Sequence, residues 1–395
     1  MSKSIVIIGG GPGGYTAAIR AAQLGAKVTL IEAEHLGGTC LNKGCIPTKA
    51  LYRNAQLLKD LDNIEEFGIK IEGHSFDLDA MMQRKQDIVD RLKNGVAQLI
   101  KANAIELIHG KASLLSKDTV KVIDSEGNEI ILNADNIIIA TGSIPSKPPI
   151  AGIDSPGVIT SDEALSINKI PASMVIVGGG VIGIEFAGIM NALGSQVTVI
   201  EFLPRILANM DSEISKKTAL SLKKSGIAVE VNTSVTQIMN TGDSLKTIAE
   251  GKKGKIEVAA EAVLISTGRA PNVEDLGLDF VGLEYDKKGI KVDEHYQTSI
   301  PGVYAIGDVI GGMMLAHVAS EEGIAAVEHI MGIQSSINYD AVPACVFSFP
   351  ELASVGLSEE DAKEKGIDYT SGKFLFGANG KALTIGEAEG FVKVL

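Results

Sequence analysis

Two cysteines, Cys40 and Cys45, stand five positions apart in GGTCLNKGCIPTKAL, residues 37–51. The chain holds only three cysteines. The pair could be half of a metal site, two small buried hydrophobes or a redox couple. Zinc sites take four ligands as a rule, with a second Cys or His pair at short spacing. Here Cys345 stands alone and the six histidines are scattered at 35, 74, 109, 295, 317 and 329. No metal is expected. His35 reads as a solvated loop histidine and Cys345 as a small buried residue.

A redox disulfide sets a geometric condition, because bridged cysteines need Cα atoms within about 7 Å. Five residues of regular helix rise about 7.5 Å and turn about 500°, which leaves the side chains on different faces. The backbone must therefore break from helix near Lys43 and Gly44. Gly44 permits this, and Asn42 also tolerates unusual φ. Pro47 suits the first turn of the helix that TKALYRNAQLL continues. A helix N-terminus lowers a thiol pKa and exposes the thiolate, as redox chemistry requires. The redox reading is preferred.

The elements that must hold this pair are legible upstream. In SIVIIGGGPGGYTAAIRAAQLGAKVTLIE an apolar run leads into Gly9, Gly11 and Gly14 at G-x-G-x-x-G spacing. An alanine-rich helix follows, then a second apolar run ending at Glu32. The first glycine makes the tight turn, the second admits a pyrophosphate and the third packs helix on strand. The helix N-terminus offers N–H groups to the phosphates, and the carboxylate suits ribose hydroxyls. The pattern recurs in SMVIVGGGVIGIEFAGIMNALGSQVTVIE with Gly178, Gly180, Gly183 and Glu201, each element 169 residues further on. Two dinucleotide-binding domains in tandem are predicted.

Two such sites suggest a bound flavin and a transient nicotinamide exchanging a hydride. The cysteines directly follow Glu32, so the first site is the better flavin candidate. At the second, Glu201 would bind the ribose of NAD and repel the 2′-phosphate of NADP. FLPRIL, which follows it, carries one arginine rather than a basic cluster. NAD is favoured.

Composition bounds the function. A chain of 395 residues exceeds one ordinary core, and 45% hydrophobic with 22% charged residues is usual for a folded globular protein. A net charge of −13, no tryptophan and 4% aromatics argue against nucleic-acid partners. No secretory signal and no membrane-length apolar run is seen, so no membrane partner and a cytoplasmic location are expected. Positions 78, 82, 88, 92, 96 and 99 recur at near-helical spacing and predict a core-facing helix.

The two fingerprints, GGTCLNKGCIPTKAL, IIIATGSIP, VLISTGRAPN and GVYAIGDVIGG occur in an order that resembles the pyridine nucleotide-disulfide oxidoreductases. Within that family the chain is most similar to the dihydrolipoyl dehydrogenase branch, from residue 1 to the last residue. The resemblance implies an α/β fold of two tandem Rossmann-like domains plus a truncated α+β dimerisation domain. The expected division is FAD-binding 1–145, NAD-binding 146–268, a second FAD-binding or central part 269–337, and dimerisation 338–395. It implies FAD and NAD as cofactors, and electrons passing from dihydrolipoamide through the cysteines and FAD to NAD. Cys40 would be the interchange thiol and Cys45 the charge-transfer thiolate. Lys49 would lie near the reactive edge of the flavin, with Glu185 as its carboxylate partner. FAD would also meet Gly38, Thr39, Ala112, Thr141, Gly142, Asp308, at the ribityl hydroxyls, and Ala316. NAD would also meet Val235 and Gly268.

The implied partners are a second copy of the chain and the lipoyl domain of a 2-oxo acid dehydrogenase complex or the glycine cleavage system. Family members supply a histidine and a glutamate in an H-P-T-x-x-E motif beyond the point where this chain stops, in GEAEGFVKVL. A truncated form with impaired turnover of lipoyl substrates is therefore expected. The alternatives are a non-catalytic flavoprotein fragment and a related NAD(P)H-disulfide reductase.

Overall fold

Isoleucine and valine fill the first strand, β1 (Ser4–Ile8), and four of its five residues are buried. That near-continuous apolar run is what a parallel strand covered on both faces requires. Helix α1 (Pro12–Gln23) returns the chain to β2 (Lys27–Glu32), which pairs parallel to β1 with Ser4 opposite Lys27. In the computed structural model, which describes residues 2–252 and 254–395, the chain divides into two units. The first comprises the N-terminal segment through Ala50, then Gln83–Ser146 and Arg269–Asn338. The second comprises Leu51–Met82, Lys147–Gly268 and Tyr339–Leu395.

The first unit is built on a five-stranded parallel sheet. Its order is Val303–Ala305, Asn136–Ile139, β1, β2 and Glu106–His109. An antiparallel meander of Lys111–Leu114, Thr119–Ile123 and Glu129–Asn133 supplements it. Helix Ala316–Ile330 crosses α1 so closely that a Cβ on Gly323 would lie 2.6 Å from the Gly13 carbonyl oxygen.

The second unit repeats the plan. Its parallel sheet runs Ala228–Glu230, Gln196–Ile200, Ser173–Val177, Ala262–Ile265 and Val158–Thr160. Ser173 pairs with Gln196, the same register as Ser4 with Lys27 once shifted by the repeat. Its antiparallel meander is Thr233–Asn240, Leu245–Gly251 and Gly254–Ala260. The segment Tyr339–Leu395, sorted with this unit, adds hairpins Ala344–Val346/Leu352–Ser354 and Gly372–Leu375/Phe391–Val394. Among the described residues no helix is long and apolar enough to cross a membrane.

Two expectations about burial are corrected. Helix Leu78–Ala102 forms and faces the core as expected, with Val96 buried and Leu78, Met82 and Ile88 half-buried, but Lys85, Val89 and Ile100 complete the buried row, whereas Leu92 and Leu99 are 41% and 51% exposed. The helix carries adjacent apolar rows, and periodicity does not say which row the neighbouring core covers. Cys345 is exposed rather than buried. Strand alternation turns Val346 inward and leaves Cys345 on the opposite face, across from Ala353.

Candidate active site

The cysteines are bridged, with Cα atoms 4.7 Å apart. Helix α2 (Gly38–Lys43) carries Cys40, and α3 (Cys45–Asp62) begins with Cys45. The break falls on Gly44, at φ −150° and ψ −111°, while Lys43 remains the last helical residue. A Cβ at Gly44 would lie 3.0 Å from the Thr39 carbonyl oxygen, so the loop folds tightly over α2. Asn42 stays helical, and its contribution is its side chain. Nδ2 donates to the carbonyls of Leu36 and Gly38, both at 3.0 Å.

The redox loop is tied to the first fingerprint. The Gly37 amide donates to the Gly10 carbonyl at 2.8 Å. Gly38, at φ +54°, lies so close that a Cβ there would sit 2.6 Å from Gly11 Cα. Lys43 Nζ reaches Glu34 Oε2 at 2.6 Å, and this hydrogen bond holds the Glu34 carboxyl below its ordinary range against modest desolvation. Cys40, Cys45 and Lys49 are all half-buried.

Each fingerprint closes on itself. A Cβ on Gly14 would fall 1.8 Å from the Gly9 carbonyl oxygen, and one on Gly183 would fall 2.1 Å from that of Gly178. The two acidic residues behave alike. Glu32 accepts from the amides of Gly10 and Glu34, each at 2.7 Å. Glu201 accepts from Gly179 at 2.5 Å and Leu203 at 2.6 Å. Both carboxylates are buried and partnered by backbone, and each oxygen retains a lone pair for a ribose hydroxyl. Gly11 and Gly180 start their helices without a side-chain cap, so the terminal N–H groups are free for a phosphate. That uncapped geometry, beside a backbone cradle that a Cβ would fill, fits a dinucleotide at both fingerprints. Arg205 Nη2 turns back to the Ala208 carbonyl at 2.8 Å.

A polar chain completes the first unit. Ser143 Oγ donates to Asp308 Oδ2 at 2.5 Å, and Arg269 Nε donates to Ser143 Oγ at 2.7 Å. Arg269 Nη2 reaches the Ser143 carbonyl at 2.6 Å and Thr39 Oγ1 at 3.4 Å. Thr39 and Asp308, both expected at the flavin, are thus joined through two residues that sequence reasoning did not single out. The signal for Arg269 lies inside VLISTGRAPN, directly after the small residues of that motif. Thr141 Oγ1 donates to the Asn272 carbonyl at 2.7 Å, and the Asn272 amide donates to Gly142 at 2.9 Å. Ala316 opens helix Ala316–Ile330, and a buried carboxylate on that helix, Glu322, accepts from the Gly307 amide at 2.7 Å. Ala112 lies in strand Lys111–Leu114, joined to the β2 end by the Gly110 amide bond to the Glu32 carbonyl at 3.0 Å.

In the second unit Glu185 sits on helix Val181–Ala192 at 4% exposure and accepts from the Phe347 amide at 3.0 Å. Val235 lies at a register shift of strand Thr233–Asn240, and Gly268 takes φ +112° with open space where a Cβ would point.

Comparison with known proteins agrees with this geometry. A family described as pyridine nucleotide-disulphide oxidoreductase matches residues 3–323, and the dimerisation domain of that family matches residues 342–395. The chain belongs to the pyridine nucleotide-disulphide oxidoreductases. It is 45% identical over 402 residues to a dihydrolipoyl dehydrogenase of Bacillus subtilis, covering 99% of this chain and 85% of that protein. It is 42% identical to the mitochondrial dihydrolipoyl dehydrogenase of Dictyostelium discoideum, covering 100% and 82%. Among solved structures, the HOCl-induced flavoprotein disulfide reductase RclA of Escherichia coli is similar at TM-score 0.88 and 30% identity, covering 100% and 86%. LpdA of Mycobacterium tuberculosis is similar at TM-score 0.92 and 27% identity, covering 99% and 86%. As a member of the pyridine nucleotide-disulphide oxidoreductases, the chain is a dihydrolipoyl dehydrogenase-like flavoprotein enzyme that uses FAD and NAD(H).

Proposed function

We propose that this enzyme oxidises dihydrolipoamide with NAD as acceptor, acting on the lipoyl domain of a 2-oxo acid dehydrogenase complex or the glycine cleavage system. We assign it to the cytoplasm and to a homodimer formed through its dimerisation domain. The observation that carries this reading is the Cys40–Cys45 bridge tied to the first fingerprint by the Gly37–Gly10 hydrogen bond.

In the proposed reaction a substrate thiolate attacks Cys40 Sγ, and the Cys40–Cys45 bond breaks with Cys45 leaving as thiolate. The second substrate thiol, after losing its proton, displaces Cys40. Cyclic disulfide is released, and the electron pair stays on the two cysteines. FAD, when bound, carries that pair on to NAD as hydride. Gly9, Gly11, Gly14, Glu32, Gly38, Thr39, Ala112, Thr141, Gly142, Asp308 and Ala316 are the proposed FAD contacts. Gly178, Gly180, Gly183, Glu201, Val235 and Gly268 are those for NAD. Lys49 and Glu185 are the charged groups assigned to the flavin chemistry. The likeness to RclA supports a second reading, an NAD(P)H-driven reductase of another disulfide.

Anaerobic mixing of the flavin-loaded enzyme with dihydrolipoamide separates the two. Rapid appearance of a long-wavelength charge-transfer band with dihydrolipoamide, and none with glutathione, is expected. Reduction by NADH with no response to dihydrolipoamide would replace the first reading by the second.

A further inference from the structure

Glu185 is a buried carboxylate on the second fingerprint helix, and it accepts a hydrogen bond from outside that helix, from the Phe347 amide at 3.0 Å. A backbone amide is only as well placed as the segment that carries it, so the segment Phe347–Glu351 matters. It is held on several sides within the second unit. Phe349 stacks on Tyr52 with ring centroids 4.8 Å apart at 23°, and Phe347 meets the same ring edge-on at 5.9 Å and 73°. Tyr52 Oη lies 3.2 Å from the Ser348 carbonyl and 3.1 Å from Glu351 Oε1, so its one proton serves two acceptors. Ser348 is fully buried, and Ser221 Oγ donates to the Phe349 carbonyl at 3.3 Å. On the Glu185 helix, Gly188 gives the Phe349 ring its seat, since a Cβ there would come within 3.0 Å of it.

We propose that Tyr52 is a positioning residue for the reaction, fixing Glu185 through the Phe347–Glu351 segment. The inference rests on the assignment of Glu185 to the flavin chemistry. Gly188 is one turn along from Glu185, so the helix that presents the carboxylate also seats the ring that anchors its donor. Burial, reinforced by Glu351, pushes the Tyr52 phenol well above its ordinary range. The hydroxyl therefore stays protonated and remains a donor throughout the working pH range. The arrangement makes a contact supplied by residues 342–395, the matched dimerisation domain, part of the setting of a catalytic carboxylate.

The test uses flavin-loaded enzyme and the limiting rate of flavin reduction by NADH in anaerobic stopped flow. Tyr52→Phe keeps the ring stack and deletes one hydroxyl. It should slow the limiting rate by roughly 10- to 100-fold, the worth of one hydrogen bond to a charged acceptor, with NADH affinity within about twofold. Combined with Glu185→Gln, it should add no further loss, because both changes act through one group. Gly188→Ala, which displaces Phe349 directly, provides a second route to the same result should Tyr52→Phe fold poorly. If Glu185→Gln reduces at the unmodified rate, the catalytic assignment of Glu185 falls. If Glu185→Gln is slow but Tyr52→Phe is unaffected, or the two losses multiply, the positioning role is overturned.

Discussion

Gly38→Ala isolates the join between the redox loop and the first fingerprint. Gly38 adopts φ +54°, and an added Cβ would stand 2.6 Å from Gly11 Cα. Neither partner is a flexible side chain, and the Gly37–Gly10 hydrogen bond holds the two backbones together. The substitution therefore combines a left-handed backbone cost of about 1–2 kcal/mol with an overpacking cost of about 1–3 kcal/mol. Gly25→Ala separates the two terms, because Gly25 has φ +85° and nothing within 4 Å of its Cβ position. The difference between the variants is the overpacking term alone. For units of this size it should lower the melting temperature of Gly38→Ala by roughly 2–12 °C relative to Gly25→Ala. Gly38→Ala should also lose most of its bound flavin, read as the ratio of visible to ultraviolet absorbance, whereas Gly25→Ala should keep it. Equal melting temperatures and equal flavin content in the two variants would refute the close-packed join.

Glu201→Gln keeps an acceptor for the Gly179 amide while removing the charge, and should narrow the preference for NADH over NADPH by at least about tenfold, or 1.4 kcal/mol. Stopped-flow flavin reduction with each nucleotide measures it. The half-buried Lys393 lies 2.6 Å from the buried Asp211, with Glu213 at 3.8 Å and Glu359 at 3.9 Å. Burial opposes ionisation of Asp211, but Lys393 and the Ile214 and Glu213 amides outweigh it and hold the carboxyl below its ordinary range. A depressed carboxylate contributes stability above its unfolded value and loses it as pH falls, so this contribution should disappear below about pH 4. Lys393→Met should destabilise the protein at neutral pH by about 3 kcal/mol, since it leaves buried charge unpaired, and should flatten the acid limb of melting temperature against pH.

The parts of the fold that sequence reveals are those encoded by local backbone need. A strand, three glycines at fixed spacing, a helix and a terminal carboxylate recur at one offset, and the structure repeats the strand register and the glutamate hydrogen bonds at that same offset. The cysteine spacing demanded a break in helix, and the break is at Gly44. What local pattern does not encode is which surface a distant segment covers. The outward side of Leu92 and Leu99 on helix Leu78–Ala102 and of Cys345 depends on that coverage. Tyr52, Arg269 and Ser143 escaped notice because their partners lie 126 or more positions away in the chain.

The division of labour between the cysteines is the central claim, and anaerobic spectroscopy of the two single serine variants tests it most directly. Reduction of the unmodified enzyme by two electrons should produce a long-wavelength charge-transfer band from the Cys45 thiolate to oxidised flavin. Cys40→Ser should keep that band and show it without added reductant, because the Cys45 thiolate has no bridging partner. Cys45→Ser should lack it while retaining flavin. Identical spectra from the two variants, or a band that survives only in Cys45→Ser, would contradict the account.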